Sequence, residues 1–395
     1  MVVPRYAEGI VGGAETLVRG LATRAGGEGR AVEVATTCAV DHATWANVLP
    51  AGESEEDGVR VLRFPVGPRD PETYDRLHAR LVEQGRLSYL EELEMMGAGV
   101  WSPALQQFIE ERGGDYDLLV FAPYLFGTTF WGIQAWPDRS ALIPCLHDEP
   151  DAHMRCLRRP FEAARGCLFN SAAEERLARR LFRVRGGGVV GVGFDPPAGP
   201  APAGFAASRG LGRYLLYAGR LEGAKRVDVL VEHVARFAAA RAPDLKLALM
   251  GRGSYTVPRR HAGHVVHLGY LDEQAKRAAY AEAVALVNPS ELESLSLVLL
   301  EAWLEGTPAL VAAGSDVMRE HCERSGGGVA FAEYADFAAA LASLLDDPDA
   351  RSRMGAAGRE YVLSEYGWPA VRERFAAVTD ELAGPPPPPR RRRGG

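Results

Sequence analysis

Glu293 and Glu301 stand eight residues apart in the stretch NPSELESLSLVLLEAW (288–303). If a helix starts near Ser294, eight residues at about 1.5 Å each separate the carboxylates by roughly 12 Å, close to the span from hexose to ribose in a sugar nucleotide. The helix N-terminus between them would then face a diphosphate. Its free N–H groups and macrodipole favour an anion, and Ser294 and Ser296 add hydroxyl donors. The competing reading is an amphipathic core helix with solvated glutamates.

A second cluster supports the first reading. YAGRLEGAKRVDVLVEHV (217–234) places Arg220 just after an expected strand and Lys225 in the loop that opens the next helix. Two cations at a strand-to-helix turn suit a diphosphate, and ligands of open α/β sheets gather at the carboxyl ends of strands. Only Lys225, Lys246 and Lys276 are lysine among 45 basic residues, so a compact ammonium hints at a role where it stands. Near the N-terminus, Gly9, Gly12 and Gly13 precede a helix carrying Glu15 and allow close backbone approach to a ligand, without the Gly-x-Gly-x-x-Gly spacing. IPCLHDEPDAH (143–153) sets His147, Asp148 and Glu149 at the end of another strand, where His147 can bond a sugar hydroxyl and the two acids can accept bonds from an acceptor.

Other chemistries find no anchor. The string His261, His264, His267 crosses from a loop into a strand, so its side chains need not converge on a metal. Asp115/Asp117 and Asp347/Asp349 read as caps and turns, and no Gly-x-Ser-x-Gly elbow occurs. Five cysteines without Cys-x-x-Cys spacing argue against a disulfide framework or structural zinc, and a reducing cytoplasm is the expected setting. A formal charge of −7 gives no global field for nucleic acid. No signal peptide and no apolar run of membrane-spanning length is visible.

These residues need elements to hold them. Among 395 residues, 47% hydrophobic, short β-rich runs alternate with helical patterns, which reads as βαβ units on parallel sheets. Strands are expected near 33–37, 59–64, 117–122, 141–146 and 166–170, and again near 214–219, 245–251, 265–269, 283–288, 308–312 and 327–331. The first series forms an N-terminal Rossmann-like domain (1–195), followed by a Pro/Gly/Ala-rich linker (196–210) and a second such domain (211–368). A helix over 369–383 is expected to cross back to the first domain, ahead of a disordered Pro/Arg tail (384–395) whose arginines offer peripheral membrane contact. Segments 38–57, 65–100 and 123–132 are expected to be loops that contact the acceptor.

The order of these motifs resembles the retaining, GT-B-fold glycosyltransferases of glycosyltransferase family four. YAGRLEGAK, MGRGS (250–254), HLGYLDEQAKRAAYAEAVALVNPS (267–290), ESLSLVLLEAW, GTPALVAA and SEYGWPAVRERF carry the match, with GGAETLVRGLA and GVGFD (191–195) in the first half. The resemblance implies an α/β GT-B architecture, two Rossmann-like domains facing across a cleft. It makes Glu293 the holder of donor-sugar hydroxyls, Glu301 the ribose ligand, and Arg220 with Lys225 the diphosphate clamp. Gly12 and Gly13 match the loop that reaches the donor from the opposite domain, the backbone of Gly269, Tyr270 and Leu271 matches the nucleobase contact, and Gly251 of MGRGS joins the donor-binding set. Ser294, Leu295, Ser296 and Leu297 line the phosphates, and His147 corresponds to a histidine beside the reacting sugar. Two departures stand out: serines replace the glycines of the family's Glu-Gly-Phe-Gly run, and the first strand is clipped to Val2 and Val3.

The expected function is therefore transfer of a sugar from a nucleoside diphosphate, UDP first and GDP next, to an acceptor hydroxyl with retention of configuration. The sugar nucleotide is a substrate, and neither a cofactor nor a metal is expected. The cytoplasm, including the inner membrane face, is the expected location. A sugar-nucleotide epimerase or hydrolase on the same plan, and a non-catalytic sugar-nucleotide-binding partner, are the rival readings.

Overall fold

A computed structural model describes residues 1–10, 12–25 and 30–384. The chain divides into two compact units, Met1–Gly193 with Pro369–Gly395, and Phe194–Trp368. Residues 385–395 of the expected tail lie outside the described residues.

The first unit carries β1 (Glu33–Thr37), β2 (Gly52–Glu56), β3 (Val59–Phe64), β4 (Leu119–Phe121), β5 (Ser140–Leu142), β6 (Gly166–Phe169) and β7 (Gly187–Val189). They form the runs β1-β3-β2 and β4-β5-β6-β7, parallel except for β2. The clipped first strand joins them: Val2 bridges Ala35 on one side and Phe121 on the other. Two residues suffice because Val2 and Val3 are buried and their backbone groups pair with both neighbours. Apolar side chains from β4, β5, β6 and their helices build the core, among them Phe121, Phe130, Phe161 and Phe169. The helix Trp368–Ala383 packs into this unit, with Arg374 Nε donating to the Val190 carbonyl at 3.1 Å.

Segment 65–100 is not the loop expected of it. It contains the helices Pro71–Gln84 and Tyr89–Ala98, and Pro103–Arg112 follows. Each has a side-chain cap: Asp70 on Thr73, Ser88 in a capping box with Glu91, and Ser102 on Leu105, with proline opening the first and third. A helix over 127–135 likewise begins inside the segment read as 123–132 and runs past it, and 52–56 form the antiparallel strand β2.

The second unit holds one six-stranded parallel sheet of β8 (Tyr214–Ala218), β9 (Lys246–Met250), β10 (Val265–Gly269), β11 (Ala285–Asn288), β12 (Ala309–Ala312) and β13 (Gly328–Phe331). Their spatial order is β10-β9-β8-β11-β12-β13. Four strands, β8, β9, β11 and β12, are fully or largely buried apolar runs, as the centre of a sheet covered by helices on both faces requires. The chain winds outward from β8 through β9 to β10, then returns to the other side of β8 to lay down β11. That reversal is the topological switch point, and the loops after β8 and β11 diverge around it.

The end of the stretch read as linker is part of this unit. Phe205–Ser208 forms a helical turn whose first amides donate to Glu282, at 2.9 Å from Phe205 and 2.7 Å from Ala206. Burial resists ionisation of Glu282, but three backbone N–H groups hold its carboxyl below the usual range. Its stabilisation is therefore present at neutral pH and lost as the pH falls through the folded-state value. Glu282→Ala is expected to destabilise the protein by about 1–2 kcal/mol at pH 7 in urea unfolding, and the difference from wild type should shrink in acid.

Candidate functional site

At the switch point side chains from the loops after β8 and β11 reach each other across the space between them. Lys225 Nζ lies 2.8 Å from Glu293 Oε1, and 3.3 Å from both Ser290 Oγ and the Leu292 carbonyl. The pair is largely buried, with 21% and 14% of the side chains exposed, so each charge offsets the other's lost hydration. Arg220 stands on the same β8 loop with its side chain 58% exposed, 3.1 Å from Glu222. Tyr217 holds the turn beneath it by donating to the Arg220 carbonyl at 2.7 Å. Burial raises the Tyr217 phenol, so it remains a proton donor.

Backbone approach sets the shape of this edge. Gly219 and Gly251 both have φ near +145°, and a Cβ on Gly251 would sit 1.9 Å from the Gly219 carbonyl oxygen. Gly251 N in turn donates to the Gly269 carbonyl at 2.9 Å. The ends of β8, β9 and β10 are thereby drawn together. Tyr270 projects beyond them, 59% exposed, with the Arg252 guanidinium 4.7 Å from its ring centroid. Leu271 beside it is buried.

The helix after β11 begins later than the spacing suggests. It spans Leu297–Leu304, so Glu301 lies on it while Glu293, Ser294 and Leu295 belong to the preceding loop. Ser296 occupies the N-cap in the left-handed region at φ 65°, a conformation in which the family's glycine is at ease and a serine is strained. The eight-residue rise along one helix axis consequently does not apply. Asn288 holds the loop at both ends, its Oδ1 accepting from Ser290 N at 3.1 Å and its Nδ2 donating to Ser296 Oγ at 3.2 Å. Ser296 and Leu295 are buried, and no side chain caps the helix. Leu299 N already donates to the Ser296 carbonyl at 3.1 Å, so it is the N–H groups of Leu297 and Val298 that open the helix just after the Glu293 loop without an intrahelical partner.

Glu301 is engaged by two residues of the helix Glu273–Ala281 that the motif reading did not assign to it. Lys276 Nζ lies 2.9 Å from Oε1, and Tyr280 Oη donates to Oε2 at 3.0 Å. The only prior signal was the scarcity of lysine.

In the first unit, His147 follows β5, with Nδ1 3.4 Å from Glu149 Oε1. Glu149 also accepts from Tyr124 at 2.8 Å. Burial works against its ionisation, yet the bonds from His147 and Tyr124 hold the carboxyl below the usual range. Asp148 turns elsewhere, to Arg180 at 2.6 Å and His153 at 2.8 Å. Beneath the turn lies Glu174, unassigned by the sequence reading, which accepts from Leu146 N at 2.6 Å and Asn170 N at 2.5 Å and so ties the end of β5 to that of β6. Gly13 opens the helix Gly13–Ala25, and a Cβ on Gly12 would collide with the Glu15 carboxylate, itself paired with Arg5 at 2.5 Å. Among the described residues no three metal-ligating side chains converge: His261 bonds Glu232, while His264 faces the Leu245 carbonyl. No described helix is long and apolar enough to cross a membrane.

Two outcomes follow. Gly251→Ala should destabilise the second unit by more than about 2 kcal/mol, as read by thermal unfolding, because backbone meets the new Cβ. Burial pushes the Glu174 carboxyl up to about 8 from 4.5. Its native state therefore favours the protonated form, and stability falls as the pH rises from the unfolded value through the folded one. Melting measured from pH 5 to 9 should decline over that window, and Glu174→Gln should flatten the decline.

Residues 207–361 match the family model described as "Glycosyl transferases group 1". The chain is 33% identical over 173 residues to the glycogen synthase of Mycobacterium tuberculosis, covering 42% of this chain and 41% of that one. It thus spans less than half the length of the first curated relatives it matches. Among solved structures, the sucrose-phosphate synthase of Thermosynechococcus elongatus superposes with a TM-score of 0.71 at 19% identity over 94% of each chain. HepE of Anabaena, solved in complex with UDP, gives a TM-score of 0.58 at 16% identity, over 71% of this chain and 82% of that one. Residues 207–361 of the second unit thus match the glycosyl transferases group 1 family model, and the chain has the α/β fold of the GT-B glycosyltransferases.

Proposed function

We propose that the protein transfers a sugar from a nucleoside diphosphate to an acceptor hydroxyl, with retention of anomeric configuration. The observation that carries this reading is the Lys225–Glu293 pair at the switch point, 2.8 Å apart, followed by the uncapped helix that begins at Leu297. As the bond between the anomeric carbon and the diphosphate breaks, negative charge grows on the leaving oxygen. Lys225 and the helix N–H groups stabilise that charge from where they already stand, which is when such donors are worth most, and Arg220 adds to it on leaving Glu222. Glu293 binds hydroxyls of the sugar that is losing the bond. The departing phosphate oxygen accepts the proton of the incoming acceptor hydroxyl on the same face, so the new glycosidic bond keeps the original configuration.

UDP is the first donor nucleotide to test, in line with the family and with the UDP held by HepE. In this reading the first unit takes the acceptor, and His147, backed by Glu149 and Tyr124, bonds an acceptor hydroxyl. The cations supply the charge that a divalent ion supplies elsewhere, so turnover is metal-independent.

Lys225→Ala, Arg220→Ala and Glu293→Ala are each expected to lower turnover with a UDP-sugar by about 100-fold or more, the range measured when one preorganised charge-stabilising donor is lost. EDTA should leave wild-type turnover unchanged. Full activity in Lys225→Ala would overturn the clamp. Rapid conversion of the sugar nucleotide without any acceptor would replace transfer with hydrolysis or epimerisation.

A further inference from the structure

Lysine is scarce in this chain, three residues among 45 basic ones. Lys246 donates to the Gly263 carbonyl. Each of the other two holds one glutamate of the spaced pair, Lys225 on Glu293 at 2.8 Å and Lys276 on Glu301 at 2.9 Å.

The second arrangement divides the carboxylate evenly. Lys276 and Tyr280 lie four residues apart on one helix and therefore share a face. Lys276 Nζ takes Oε1 and Tyr280 Oη takes Oε2. Burial raises the Tyr280 phenol, which keeps it a donor. Each carboxylate oxygen has two lone pairs, so one donor on each leaves an acceptor site on both. Two adjacent acceptor sites are what a vicinal diol requires. An arginine in place of Lys276 would meet both oxygens with its planar fork and compete for those sites. In a chain that otherwise uses arginine almost throughout, the ammonium at 276 is the smaller donor, with a second anchor at Glu273, 2.9 Å away.

We propose that Lys276 is a positioning and specificity-determining residue, a point charge that fixes Glu301 with one acceptor site free on each oxygen for the ribose diol of the donor nucleotide. The proposal rests on the reading that Glu301 takes the ribose. It assigns to the pair the selection of ribo- over 2′-deoxyribonucleotide donors.

The test compares UDP and GDP with their 2′-deoxy counterparts by calorimetry on the full chain, in wild type, Lys276→Met and Lys276→Arg. Wild type is expected to prefer the better-bound ribonucleotide over its deoxy form by about tenfold or more, the size of a hydrogen bond to a charged group. Both variants should lose most of that preference through weaker ribonucleotide binding, with deoxy binding nearly unchanged. With the sugar nucleotide, KM should rise while kcat moves little. Thermal unfolding shows whether each variant is folded, and Lys276→Arg retains the charge if Lys276→Met proves unstable. Full preference in either folded variant, or equal weakening of both nucleotides, overturns the proposal. Absence of preference in wild type overturns the ribose reading of Glu301 itself, and the proposal with it. Glu301→Gln separates the two failures, since it abolishes the preference only if Glu301 takes the diol.

Discussion

The reversal of strand order between β8 and β11 is the constraint on which the candidate site depends. Because the chain winds away from β8 in one direction and from β11 in the other, no crossover helix closes the space between the loops that follow them. Lys225 comes from one of those loops and Glu293 from the other, 68 residues later, and their ion pair spans the gap. A partly buried pair of this kind contributes little net stability, since dehydration consumes most of its attraction. Its consequence is positional. Removing either partner would leave the other charge poorly solvated, so the pair specifies where both loops stand.

Backbone geometry refines what the topology permits. Gly251 passes so close to Gly219 that only hydrogen fits on its α-carbon, and Asn288 joins Ser290 to Ser296 across the loop after β11. The strained N-cap at Ser296 follows from this span. The helix can begin only where the Asn288-held loop ends, so its unpaired N–H groups emerge beyond Glu293. A family glycine would adopt that conformation without cost, whereas here the Asn288 bond to the serine hydroxyl offsets part of the strain.

Most strands were legible because they are continuous apolar runs that only a sheet covered on both faces would bury. Strand β2, GESEE, and strand β7, GGV, carry no such pattern and owe their existence to neighbours with free edges. The helices of 71–112 left clear signals in Asp70-Pro71, Ser88 with Glu91, and Ser102-Pro103, but the surrounding sequence diverges in character from the βα alternation and masked them. At the site, Arg220, Lys225 and the two glutamates were legible from types and order. The helix start was not, since nothing local to ESLSL announces that Ser296 turns left-handed. Nor were Tyr280 and Glu174 legible as partners, because which helix face meets Glu301 or the end of β5 is decided by packing across the sheet and not by nearby residues.

Under the proposed function, Lys225 and Arg220 differ in a way that bears on how a diphosphate would be received. Lys225 has three acceptors around it and is held from several sides, so it acts as a fixed charge whose position a ligand inherits. Arg220 is more than half exposed and restrained only by Glu222 beside it, and an exposed pair of that kind exchanges readily with water or a stronger anion. A diphosphate can take Arg220 from Glu222 at small cost and gain a bidentate contact, while Lys225 keeps its hold on Glu293. One cation thus sets the geometry and the other adapts to the charge, a division that places the rigid partner next to Glu293, the carboxylate proposed to bind the sugar, where displacement would do most harm.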